Sequence, residues 1–227
     1  MVDLSRIECV VFDLDGVLVD SRAPIARCLN LALTDAGLVS EPEAALHAWI
    51  GHSLHEVFSM LLSERGADPD RADELVERYR DHYRTVSLAE TRAFPGIPGA
   101  VRSLASRYRL AVATSKPEVF ARPILEVVEL AGAFAHIIGP PLVETHQEDK
   151  TGTLGRALDS LSVVASPSGD APRAAMVGDR RFDMAAGRQH GIATVGVTWG
   201  IGDRQELRQA GADLLVDTPD QLASLFP

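Results

Sequence analysis

Apolar and polar positions along this chain fall into two regimes. The apolar run Ile7 to Phe12 reads as a buried strand. From residue 21 to 91 the pattern is helical instead. Arg22 to Ala36 carries Ile25, Leu29, Ala32 and Leu33 on one side, with Ser21 as N-cap and Gly37 as the stop. Glu43 to Ile50 reads as a second, short helix. Ser53 to Glu64 is a third, aligning Leu54, Val57, Phe58, Leu61 and Leu62. Asp70 to about Val86 is a fourth, with Leu75, Val76, Tyr79 and Tyr83 facing inward. Four helices with no strand among them predict a small bundle.

After Phe94-Pro95-Gly96 the pattern alternates. Helices are expected over 98–107, 118–131, 151–162, 181–190 and 203–210. Strands are expected at Leu110–Thr114, His136–Gly139, Ala174–Gly178, Ala193–Val197 and Leu214–Val216. Alternation of this kind means βαβ units and a parallel, Rossmann-like α/β sheet. Residues 1–20 and 92–227 would form that core, and residues 21–91 an all-helical domain inserted after its first strand. The crossings near 16–21 and 88–96 would act as hinges. Ser162 to Pro172 and Pro140 to Asp149 read as loops.

Composition narrows the function. The chain has 227 residues and 46% hydrophobic content, enough for one sizeable core and a smaller domain. No apolar run reaches the roughly 18 residues that a membrane helix needs, and the N-terminal stretch lacks a signal-peptide pattern. The expectation is a cytoplasmic protein, a monomer or homodimer. Cys9 lies in a strand pattern, and neither it nor Cys28 suggests a disulfide. A formal net charge of −10 argues against nucleic acid as a partner. Of 22 basic residues, 20 are Arg and only Lys116 and Lys150 are Lys. A lysine is a compact point charge rather than a planar fork, so each of these two invites a chemical reason.

The chemistry collects at predicted strand ends. Asp13 and Asp15 stand two apart where the first strand gives out, so both side chains point the same way, with Gly16 next. Two adjacent carboxylates repel unless a cation lies between them or one is protonated. That pattern points to Mg²⁺ binding, acid–base work, or both. Thr114-Ser115-Lys116 follows another strand. Gly178-Asp179 follows a third, with Asp183 four residues on, one helical turn away. Lys150 opens the helix before that strand. Each has a plainer reading alone: Asp179 as an N-cap, Thr114 as a strand-end residue, Lys150 as a solvated lysine. All would have to hold together.

Asp13-Leu-Asp15-Gly16, Thr114, Lys150 and Gly178-Asp179-xxx-Asp183 resemble, in order, the four motifs of the haloacid dehalogenase superfamily. The resemblance spans essentially the whole chain, including a helical cap after the first motif. Val19-Asp20-Ser21, Thr114-Ser115-Lys116-Pro117, Trp199-Gly200 and Ala210-Gly-Ala-Asp213 are similar to its phosphoglycolate phosphatase and 5′-nucleotidase-like branch. The resemblance implies a Mg²⁺-dependent phosphatase acting on a small-molecule phosphate ester. Asp13 would attack phosphorus and become an aspartyl phosphate. Asp15 would protonate the leaving oxygen and later deprotonate water. Asp13, the Asp15 carbonyl and Asp179 would hold Mg²⁺, with Asp183 completing or orienting that set. Thr114 and Lys150 would hold phosphoryl oxygens, and Gly16, Ser115 and Lys116 would add contacts.

Asp15 argues against dehalogenation, because a departing halide needs no proton. Residues 21–91 contain no lysine, which argues against Schiff-base chemistry from the cap. Val17 keeps a β-phosphoglucomutase-like phosphotransferase open. A non-catalytic phosphoacceptor or metal-binding protein is the alternative from another class. His52, between two cap helices, and Arg22, just past the first hinge, are the candidates to read the leaving group. His47, His55, His82, His136, His146 and His190 lack metal-ligand spacing, and Trp49 and Trp199 read as packing residues.

Overall fold

The computed structural model describes residues 2–142, 149–163 and 173–226. The expected loops at 140–149 and 162–172 lie largely outside this range, as does His146. The chain divides into two compact units, Met1–Asp20 with Arg92–Pro227, and Ser21–Thr91.

The first unit is a six-stranded parallel sheet. Its strands are β1 (Cys9–Phe12), β4 (Arg109–Ala113), β5 (His136–Ile138), β6 (Ala174–Gly178), β7 (Ala193–Val197) and β8 (Leu214–Val216), ordered β5-β4-β1-β6-β7-β8. β1 lies between β4 and β6, with Phe12 level with both Val112 and Val177. Strands β1, β6 and β7 are buried at every position. A parallel sheet covered on both faces shows up as continuous apolar runs, which is why these strands were legible. Helices α5 (Ile97–Ala105), α6 (Glu118–Val127), α7 (Lys150–Ser160), α8 (Arg181–Gln189), α9 (Arg204–Gln209) and α10 (Pro219–Leu225) belong to the same unit. Leu154, Ala157, Leu158 and Leu161, in and just after α7, pack with Cys9, Val11, Ala111, Ala113 and Met176 of the strands. Alanines on the strand side let the helix lie close. Cys9 and Cys28 are buried thiols.

The chain order reverses direction at β1. It runs outward through β4 and β5, then crosses to β6 on the other side and on through β7 and β8. A crevice outside the carboxyl ends of the strands forms at such a switch point. A short antiparallel pair, β2 (Val19–Asp20) with β3 (Arg92–Ala93), ties the two places where the chain leaves and re-enters this unit.

The second unit contains α1 (Arg22–Asp35), α2 (Glu43–Leu46), α3 (Leu54–Glu64) and α4 (Ala72–Glu90). α4 packs on both α1 and α3. Its core includes Phe58, Tyr79 and Tyr83, the two tyrosine rings stacked with centroids 5.2 Å apart. The outer face of α4 carries exposed Glu74–Arg78 and Asp81–Arg84 pairs. His82 meets Asp35 at 2.7 Å, joining α4 to α1.

Several boundaries differ from expectation. Ser21 is the N-cap of α1 by position, but its side chain makes no capping bond. Gly37 does end that helix, in a left-handed conformation with φ 77. The Glu43–Ile50 segment divides into α2 and a 3-10 turn, His47–Trp49. The fourth helix runs on to Glu90. α6 stops at Val127 because Glu129 turns left-handed at φ 58 and Leu130 N–H closes back on Leu125. The apolar residues that continue to Leu130 masked that stop.

Candidate active site

Asp13 follows β1 directly, and its N–H donates to the Val177 carbonyl of β6 at 2.9 Å. That bond extends the ladder by one residue, so the first acid is held by the sheet itself. Asp13 Oδ1 accepts the Leu14 N–H at 2.7 Å and pairs with Lys150 Nζ at 2.7 Å. Both contacts fall on one oxygen, so neither engages Oδ2. Lys150 is the first residue of α7 and lies 2.9 Å from Asp183 Oδ1 as well. Asp149 caps this helix, accepting the Gly152 N–H at 2.8 Å, and so fixes the turn that carries the lysine.

Asp13, Asp179 and Asp183 each offer an oxygen within 4.8 Å of the others'. Asp179 directly follows β6 and is wholly buried; Asp183 is buried in the first turn of α8. The expected route to this convergence was wrong in one respect. Asp179 precedes the helix, whose N-cap is Arg180, so the two acids meet across a strand end and a helix start rather than along one helical turn. Nor does Asp179 cap the helix. Asp183 Oδ2 reaches back to the Arg180 N–H at 3.1 Å.

Asp15 pairs with Lys116 Nζ at 2.8 Å. Lys116 comes from the turn after β4, where its N–H donates to Thr114 Oγ1 at 3.2 Å. Thr114 is buried, and Ser115 between them is exposed. The chain's two lysines are thus both ion-paired to acids at this sheet edge. The Gly16 N–H bonds to the Val19 carbonyl at 2.9 Å. Gly16 contributes space: at φ 81, an added Cβ would overlap the Asp179 carboxylate. His52 and Arg22 belong to the helical unit. His52 sits edge-on to Trp49, ring centroids 5.7 Å apart, and Arg22 opens α1. Trp199 donates its indole N–H to the Val17 carbonyl at 3.1 Å.

Burial, then the Asp183 and Asp15 charges, push the Asp13 carboxyl up to about 6, against the pull of Lys150. Burial raises Asp179 well above the usual carboxylate range, reinforced by Asp183 and Asp13. Burial alone would lower Lys150, but the Asp13 and Asp183 charges outweigh it and hold the ammonium charged. Four carboxylates against two ammoniums leave two negative charges when all are ionised. Asp179 Oδ1 is buried with no hydrogen-bond partner among the described residues. An orphaned buried carboxylate oxygen among two further acids fits a hard divalent cation, which takes oxygen ligands.

A feature that motif reading missed lies after β7. The Ile201 N–H donates to Asp179 Oδ2 at 2.6 Å, from a turn with glycines on either side. Two glycines spaced around one residue, at the same sheet edge as the acids, were the available signal.

Comparison with known proteins agrees with this geometry. The family model described as haloacid dehalogenase-like hydrolase matches residues 10–197. A 5′-nucleotidase of Pseudomonas aeruginosa is 37% identical over 88% of this chain and 86% of its own length. A phosphoglycolate phosphatase of Colwellia psychrerythraea is 28% identical, covering 96% of each chain. The solved structure of a haloacid dehalogenase-like family hydrolase from Streptococcus pneumoniae superposes with a TM-score of 0.86 at 26% identity. It covers 98% of this chain and 99% of that one.

Proposed function

The chain belongs to the haloacid dehalogenase-like hydrolase family, and from that premise we propose that it is a Mg²⁺-dependent phosphatase of small phosphate monoesters. The observation that carries this reading is the convergence of Asp13, Asp179 and Asp183 beside Lys150 at the carboxyl edge of the sheet.

Asp13 is the nucleophile, forming a bond from its carboxylate to phosphorus as the ester oxygen leaves. Asp15 gives that oxygen a proton. In the second half Asp15 takes a proton from water, whose oxygen bonds to phosphorus as the Asp13–phosphorus bond breaks. Inorganic phosphate departs and both acids are restored. Lys150 and the Thr114 hydroxyl hold phosphoryl oxygens where charge builds up. Lys116 orients Asp15 through their ion pair. Asp13, Asp179 and the Asp15 carbonyl would hold Mg²⁺, with Asp183 steadying the set. The bound ion would screen the anionic nucleophile from the anionic ester. In this reading the helical unit is a cap, and His52 and Arg22 read the leaving group.

The likeness to a 5′-nucleotidase and to phosphoglycolate phosphatases puts nucleoside 5′-monophosphates and 2-phosphoglycolate first in a substrate panel. The test is Mg²⁺-dependent release of inorganic phosphate from that panel and from p-nitrophenyl phosphate. Asp13→Asn is expected to lower turnover by roughly 10⁴-fold or more while leaving the circular dichroism spectrum unchanged. Full activity in that variant would refute the nucleophile assignment.

A further inference from the structure

The turn after β7 grips Asp179. The Ile201 N–H donates to Asp179 Oδ2 at 2.6 Å, while Oδ1 stays buried and without a hydrogen bond among the described residues. The turn can approach this closely only because its flanking residues lack side chains. A Cβ at Gly200 would overlap Asp179 Oδ2 and the Gly16 carbonyl oxygen. A Cβ at Gly202 would overlap the Asp179 carbonyl oxygen. One oxygen is thus tied down and the other presented, which selects a single orientation of the carboxylate.

The turn leads directly into α9. Asp203 caps that helix, accepting the Glu206 N–H at 2.7 Å. Glu206 Oε1 then receives the Arg180 Nε–H at 3.0 Å and the Arg181 N–H at 2.8 Å. Both donors belong to the residues between Asp179 and Asp183. Arg180 is itself buried, and the Glu206 side chain is only 22% exposed. One carboxylate therefore fastens the start of α9 to the start of α8, and the turn that grips Asp179 is held between them.

We propose that Gly200, Ile201 and Gly202 form a clamp that aims Asp179 Oδ1 at Mg²⁺, and that Glu206 is the positioning residue that keeps the clamp closed. The proposal rests on the reading above, in which Asp179 is a metal ligand. Glu206 touches neither metal nor substrate. It acts through Arg180 and Arg181, as outer partners of metal ligands do, and their loss lowers metal affinity by about 10- to 100-fold.

The test measures Mg²⁺ affinity directly, by calorimetric titration of the full chain without substrate. Glu206→Ala is expected to weaken binding at least tenfold, and to regain near wild-type kcat when Mg²⁺ is raised to saturation. Glu206→Gln keeps a neutral acceptor for both donors and is expected to stay within about threefold of wild type. Glu8→Ala removes an ion pair with Arg173 at the other end of β1 and serves as the control with unchanged affinity. Should Glu206→Ala not fold, Glu206→Asp, one methylene short of both donors, carries the same expectation. Wild-type affinity in the Ala or Asp variant would overturn the clamp and leave the metal site standing. Absence of Mg²⁺ binding by the wild-type chain would overturn both.

Discussion

Asp179 shows at the scale of one residue what a buried, clustered carboxylate costs its fold. A carboxyl whose folded-state pKa is raised binds its proton more tightly than the unfolded chain does. Its contribution to stability is therefore lost as pH rises from the ordinary value of 3.8 through the raised one, about 6 for Asp13 and well up for Asp179. Asp179→Asn replaces the ionising group with a neutral one of the same shape. At pH 7.5 without metal the variant is expected to be more stable than wild type by roughly 1–3 kcal/mol, the cost of an unsatisfied buried group. At pH 5 the gap should narrow, because lower pH favours the protonated form of a carboxyl whose pKa is raised. Added Mg²⁺ should raise the melting temperature of wild type and not of Asp179→Asn. Melting curves at the two pH values, with and without metal, check all three. A variant less stable than wild type at pH 7.5 without metal would refute the argument.

Elements decide where such residues can meet, and in α7 a helix cap stands behind Lys150, the lysine proposed to hold phosphate. Its first turn depends on Asp149, whose Oδ1 caps the Gly152 N–H. Asp149→Ala is expected to cost about 1 kcal/mol and to weaken phosphate binding through a frayed Lys150. A raised KM with the expected drop in melting temperature supports this; an unchanged KM would not. The same scale explains what could be read from the sequence. The strands with acids at their ends were visible as buried apolar runs, and the helical insertion as a change of period. β2 and β3 are two residues each, too short to show any period. α10, Pro219–Leu225, has one buried residue, Leu222, and so no stripe to detect. The clamp on Asp179 was hidden for a different reason. It works through the missing side chains of Gly200 and Gly202 and through a backbone N–H, which nearly every residue has. Asp13, Asp15, Thr114, Lys116, Lys150, Asp179 and Asp183 were legible because each carries its chemistry in its side chain.

Across the whole molecule, every proposed Mg²⁺ ligand lies in the α/β unit, while the helical unit has its own core. The two tryptophans divide the same way, Trp199 in the first and Trp49 in the second, so single-Trp variants report each unit separately. Mg²⁺ at a hundred times its Kd is expected to add about 2.7 kcal/mol to the transition seen by Trp199 in Trp49→Phe. The transition seen by Trp49 in Trp199→Phe should move less. A Trp199 transition indifferent to Mg²⁺ would remove the metal from this site. The scarcity of lysine has a practical consequence of its own. Lys116 and Lys150, both nearly covered and both locked to acids, are the only side-chain amines in 227 residues. Acylating dyes and amine-coupling supports, which ordinarily decorate a protein's exterior, have no surface lysine to take here. Beyond the terminal amine, an amine-reactive label would have to fall on Lys116 or Lys150, beside the acid cluster.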